Sequence, residues 1–261
     1  MSVAILTRQP DFLAAVAELP LAARVADGPR GAVVVLTGER VVEKAQRAQD
    51  DGAAALVVSD AAALRTVDLE ALHAGVRIPL VIARPRVRPD IANALGAASA
   101  AVRAVVVEAS ATADERIGTT RDAVAWARLI AGGDLRWVAG EAGPTGSLAL
   151  FERAAVPVTV LISVSRTGSS VIRAHTLGHE RVEVTIDDGA LVQRVERTSA
   201  DGTTIAPQRF ETLHRLTLRR ALAAAEGQAQ PTDLVDEVHD ARYADVLATA
   251  GSAELRRHKR S

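Results

Sequence analysis

The chain has 261 residues, a formal net charge of −1, 48% hydrophobic residues and 2% aromatic ones. That is enough to bury a substantial core, as one large domain or two medium ones, and it lacks the basic excess that nucleic acid or an anionic membrane surface would attract. There is no cysteine, which excludes disulfides, thiolate metal ligands and cysteine nucleophiles.

Short apolar runs at Val3–Leu6, Ala32–Leu36, Ala54–Val58 and Pro79–Ala83 predict strands buried on both faces. Helical stretches separate them at Asp11–Glu18 and Val41–Asp50, with shorter pieces around Ala61–Leu64 and Leu69–His73. In the second, Val41, Lys44, Ala45 and Ala48 share a face, and Asp51-Gly52 ends it. This alternation predicts a parallel sheet covered on both faces. A sheet of that kind that holds a dinucleotide needs glycines after its first strand, so that the backbone can approach the pyrophosphate. Here Val3–Thr7 runs into Arg8-Gln9-Pro10-Asp11-Phe12, and the first glycine is Gly28. Pro89-Asp90 then starts a helix expected over Ile91–Ala98.

The second half changes character. Val102–Glu108 is another apolar strand, and Thr119–Ala131 is a helix with Ala123, Trp126, Ala127 and Ile130 on one face. Val156–Val164 is a long β-branched run. In Arg181–Asp187, Val182, Val184 and Ile186 alternate with polar residues, as in a strand with one wet face. Asp188-Gly189 and Asp201-Gly202 are hairpin signals, since both dipeptides tolerate positive φ. This half therefore reads as an open, mostly antiparallel sheet. Phe210–Ala225, with Leu218, Ala221, Leu222 and Ala225 on one face, and Pro231–Leu247 are closing helices. No uninterrupted apolar run reaches the roughly 18–20 residues that span a bilayer, and no signal peptide is evident. The expectation is a soluble cytoplasmic protein with no membrane partner. The basic tail Arg256–Arg260 reads as a solvated terminus.

Few residues stand out chemically. Arg84, Arg86 and Arg88 follow a strand, where they either clamp a carboxylate or phosphate or pair with surface acids. Asp122 is a cleft carboxylate, or it pairs with Arg121 or Arg128, or it occupies the first helical turn favourably. Trp126 reads as a core or inter-domain packing residue, with an indole N–H that needs an acceptor. His175 and His179, with Glu180, lie near each other across Gly178, but spacing across a turn fixes no geometry, no third strong ligand is adjacent and closed sites usually need four, so no metal site is expected. His214 and His239 read as packing or surface residues. Ser163 and Ser165 lie in a strand without a nucleophile elbow.

Three segments carry a family resemblance. They are Pro79–Pro89; Thr119–Trp126, in which Asp122 and Trp126 keep the spacing of a His-x-x-Asp-x-x-x-Trp helix; and Arg209–Ala225 followed by Gln230-Pro231. In their order and spacing the chain resembles the glucose–fructose oxidoreductase/inositol dehydrogenase (Gfo/Idh/MocA) family. The resemblance implies a Rossmann-like domain over residues 1–98, here lacking the glycine fingerprint, and an antiparallel α+β domain with closing helices over 99–261. It implies NAD(P), a Glu-Lys-Pro motif after a strand and a catalytic histidine. This chain has Ser59-Asp60 where Glu-Lys-Pro would follow the strand, and Thr119 where the histidine would stand. Glu43-Lys44-Ala45 has the letters but sits within a helix.

The resulting expectation is a degenerate member: a non-catalytic ligand-binding or accessory subunit linked to sugar or cyclitol metabolism, with no cofactor. Its cleft candidates are Arg84, Arg86, Thr119 and Asp122, facing a small polar or anionic ligand. The antiparallel sheet would join a second copy or a partner subunit. The alternatives are an active NAD(P)-dependent oxidoreductase of CH–OH groups using an atypical loop, and a structural partner of a full-length homologue.

Overall fold

A computed structural model describes residues 2–96, 102–166, 168–208 and 210–258, with side chains as far as residue 248. The end of the expected helix Ile91–Ala98, Arg209 and the basic tail lie outside the described residues or side chains.

The chain up to Pro85 builds a five-stranded parallel sheet. Its elements are β1 (Val3–Leu6), α1 (Pro10–Ala17), β2 (Ala23–Val25), β3 (Ala32–Leu36), α2 (Val41–Asp50), β4 (Ala55–Val58), α3 (Thr66–Gly75) and β5 (Leu80–Ile82). The strand order is β2-β1-β3-β4-β5. Every residue of β4 and β5 is buried, as their continuous apolar runs predict. β2 is the departure. Its three residues Ala-Arg-Val are too short to show a period, and they pair in parallel with β1. Because β2 spans only about 10 Å, the segment Ala26–Gly31 returns to β3 without a helix. On α2, Val41, Ala45 and Ala48 are buried, but Lys44 is exposed and its Nζ donates to the Thr37 carbonyl at 2.9 Å.

From Pro89 the chain forms α4 (Pro89–Ala92), β6 (Val102–Ala111), α5 (Arg116–Ala131) and a run of strands. These are β7 (Arg136–Gly143), β8 (Gly146–Arg153), β9 (Val156–Val164), β10 (Val171–Gly178), β11 (Arg181–Asp187), β12 (Val192–Ser199) and β13 (Gly202–Ile205). α4 is shorter than expected: a 3₁₀ turn Asn93–Leu95 follows it, and Gly96, at φ 67°, ends the helical run. The strands form one sheet in the order β13-β12-β11-β10-β6-β9-β8-β7, antiparallel except for the parallel pair β6–β9. The alternation in β11 holds, with Val182, Val184 and Ile186 buried. The β11–β12 turn puts its positive φ on Leu191 instead of Gly189; Asp187 Oδ1 shapes it by accepting the Gly189 and Ala190 N–H groups. α5 buries more than its predicted stripe, because Thr119–Asp122, Val124, Ala125 and Arg128 are buried as well.

α6 (Leu213–Ala225) and α7 (Asp233–His258) close the chain. Thr212 caps α6 by accepting the Arg215 N–H at 3.3 Å. The α6 face Leu218, Ala221 and Leu222 packs with Ile5, Phe12, Val33, Val57 and Val81. Ile82 N–H, on β5, donates to Asp233 at 2.9 Å. Two compact units result: Met1–Pro85 with Phe210–His239, and Arg86–Arg209 with Asp240–Ser261. They depart from the expected 1–98 and 99–261 division. α6 covers the parallel sheet, while Val87, Ile91 and Leu95 join the core of Val105, Val107 and Trp126. An apolar helix face is legible in sequence, but which sheet it covers is not. No helix among the described residues is long and apolar enough to cross a membrane.

Candidate functional site

Parallel α/β sheets hold ligands outside the carboxyl ends of their strands, where neighbouring strands send their connections to opposite sides. In the first unit that point lies between β1 and β3, since α1 leads to β2 and α2 to β4. Gln9 lies there. Its backbone N–H turns back on Thr7 Oγ1 at 3.2 Å, and its side-chain amide donates to Ser59 Oγ at 2.9 Å. Ser59 Oγ in turn donates to the Leu36 carbonyl at 3.3 Å. A short run of side-chain bonds therefore ties together the ends of β1, β3 and β4. Pro10 opens α1, and Asp11, three-quarters exposed, supplies a carboxylate in its first turn. His214 stands edge-on to Phe12, with ring centres 4.8 Å apart, and 3.9 Å from Asp11.

The second unit holds a denser cluster. The largely buried guanidinium of Arg86 lies 2.6 Å from Asp188, 3.4 Å from Glu115 and 3.7 Å from Asp122. The Arg86 carbonyl accepts Trp126 Nε1–H at 2.8 Å, which supplies the acceptor the indole requires. Burial opposes the charge on Arg86, but the Asp188 hydrogen bond and the three carboxylate charges outweigh it and push the pKa above the usual range. Glu115 Oε2 also accepts from Ser170 Oγ at 2.7 Å, and Ser170 Oγ lies 3.0 Å from Thr119 Oγ1. Beside this network is a cavity of about 190 Å³ lined by Arg88, Ile91, Asp187, Asp188, Leu191, Gln193 and Gln208.

Arg86, Thr119 and Asp122 thus come together. Arg84 does not join them: it falls in the first unit, where its Nη1 lies 2.9 Å from Glu237. Arg88 bonds Asp90 at 2.7 and 3.0 Å. Arg84 thus pairs with Glu237, Arg88 with Asp90, and Arg86 with Asp188, Glu115 and Asp122. Asp122 sits in the second turn of α5, because the helix starts at Arg116; it faces Arg86, while Arg128 bonds Asp240 at 3.1 Å. Glu115, Ser170 and Asp188 were not singled out by the sequence. Asp188 showed only a turn signal, and the other two showed none.

His175 lies within β10, opposite Val106 and Glu183, and Glu180 bonds Arg197 at 2.8 Å. Among the described residues no group of three or more His, Cys, Asp or Glu side chains is placed to hold a metal ion. Ser163 Oγ donates to the Ala109 carbonyl.

No protein-family model matches the chain, and no curated protein matches it in sequence. Solved structures do match it. UDP-N-acetylglucosamine 3-dehydrogenase GnnA from Acidithiobacillus ferrooxidans superposes with a TM-score of 0.71 at 14% identity, covering 97% of this chain and 98% of that one. A dehydrogenase (MviM) from Clostridium difficile gives 0.63 at 8% identity over 95% of this chain and 90% of that one. KijD10, a 3-ketoreductase from Actinomadura kijaniata in complex with TDP-benzene and NADP, gives 0.58 at 16% identity over 95% and 89%. The chain shares its fold with these three proteins. The three positions at which the sequence resemblance led us to expect other residues are all internally bonded. Gln9, in the turn where glycines are expected, bonds Ser59, where Glu-Lys-Pro is expected; Thr119, where the histidine is expected, bonds Ser170.

Proposed function

We propose that this chain keeps the fold of an NAD(P)-dependent sugar dehydrogenase without its hydride transfer. It acts as a non-catalytic ligand-binding or accessory subunit linked to sugar or cyclitol metabolism. The observation that carries this is Thr119. It is fully buried at the position of the expected histidine, within hydrogen-bond distance of Ser170. A hydroxyl held in this way is no general base near neutral pH.

The carboxyl ends of the parallel strands also do not fit a dinucleotide. A pyrophosphate wants backbone N–H donors and close backbone approach at a helix N-terminus. Pro10 has no N–H, Asp11 puts negative charge in the first turn, and the Gln9 side chain crosses to Ser59. The ligand place in this reading is the cavity beside Arg86. Its lining of Asp187, Asp188, Gln193 and Gln208 with Arg88 suits a small polar, hydroxyl-bearing molecule better than an anion. The outer face of the eight-stranded sheet, with exposed Leu148, Leu150 and Leu161, is the surface for a second copy or a partner subunit.

Calorimetric titration with NAD(H) and NADP(H) tests the reading. The expected result is no binding tighter than about 100 μM. Tighter binding, worth roughly −5.5 kcal/mol or better, would overturn it.

A further inference from the structure

We propose that the carboxyl edge of the parallel sheet is self-ligated. Gln9 and Ser59 supply the strand-to-strand bridge, and Asp11 supplies the negative charge at the α1 N-terminus, that a bound dinucleotide supplies in a cofactor-carrying relative. The inference rests on the functional reading above only in taking the nucleotide as absent from the working state.

A pyrophosphate at this edge does two things for the protein that holds it. It answers the partial positive charge and the orphan N–H groups of the first helix. It also links the loops that follow neighbouring strands. Both tasks are already done here by the chain. Pro10 at the first helical position removes one orphan donor and presets φ for the helix, and the Asp11 carboxylate in the first turn answers the helix charge. The Gln9 amide reaches Ser59 across 50 positions of sequence, and Ser59 passes the link to the Leu36 carbonyl, so β1, β4 and β3 are joined in one run. Gln9 and Ser59 are half-buried, which shields their bond from competing water. The strands below are core, with Ile5, Leu36 and Val58 buried. Residues that read separately as two lost motifs are thus the two ends of one new contact.

A double-mutant cycle on the full chain, melted without nucleotide, tests the bridge. Gln9→Ala should lower Tm by about 2–4 °C, the shift expected for one hydrogen bond in a chain of this size, and Ser59→Ala by more, because it also removes the bond to the Leu36 carbonyl. The double variant should lose no more than the worse single one, because both remove the same bond. Asp11→Asn should lower Tm at low salt and much less at high salt. Additive losses, or a Gln9→Ala variant as stable as the parent, overturn self-ligation while leaving the functional reading intact if no nucleotide binds. A rise in the parent's Tm with 1 mM NADH or NADPH, which screening at about that concentration would detect for a 100 μM ligand, overturns both.

Discussion

Arg86 serves three carboxylates and lends its own carbonyl to Trp126. Its place was legible because Thr119, Asp122 and Trp126 lie at helical spacing and the arginine follows a strand. Glu115, Ser170 and Asp188 were not legible: each comes from a different connecting segment, and only the folded backbone brings them within hydrogen-bond reach. His175 offers a residue-scale test of the second sheet. Burial, then the charge of Arg181, pull its pKa below the usual histidine range, while Glu183 and Glu108 pull the other way. The unfolded chain therefore takes up this proton at higher pH than the folded one. The stability tied to the neutral ring is full above the ordinary histidine pKa and is lost as pH falls through it. His175→Gln should flatten the decline of Tm between about pH 7 and pH 5 and leave the alkaline side unchanged, as thermal melts across that range would show.

Strand runs such as Val156–Val164 were readable element by element, because apolar period and β-branching point the same way. β2 was not, since three residues carry no period and its partner β1 supplies the order. The β8–β9 hairpin shows a different limit. Arg153 pairs with Val156, so Ala154 and Ala155 alone make the turn, and both sit in the left-handed region at φ 48° and 67°. Such two-residue turns favour Asn-Gly, and an L-residue with a Cβ pays about 1–2 kcal/mol there. Replacing the pair by Ala154→Asn with Ala155→Gly should raise Tm by about 2–4 °C per kcal/mol recovered, a gain readable by calorimetry.

Across the whole molecule, the first unit is discontinuous in sequence. α6 arrives from beyond residue 209 to cover the sheet that residues 3–82 begin, and Leu218 and Ala221 are fully buried in that core. No local pattern announces this, which is why the sequence suggested a division at residue 98. A fragment of residues 1–98 should therefore show no cooperative melting transition. Residues 1–85 joined to 210–239 by a short flexible linker should regain one, as circular dichroism on heating would report. The second unit carries a consequence for the time course of folding. β7, β8 and β9 are successive hairpin neighbours, and so are β10 to β13; each group can assemble from nearby sequence. β6 precedes both groups, yet it is the strand that joins them, parallel to β9 and antiparallel to β10. The middle of the sheet is thus expected to be its last seam to close, with β6 and its row of valines exposed until two separate ribbons are ready to receive it, which pulse-labelled hydrogen exchange during refolding would show as late protection of the β6 amides.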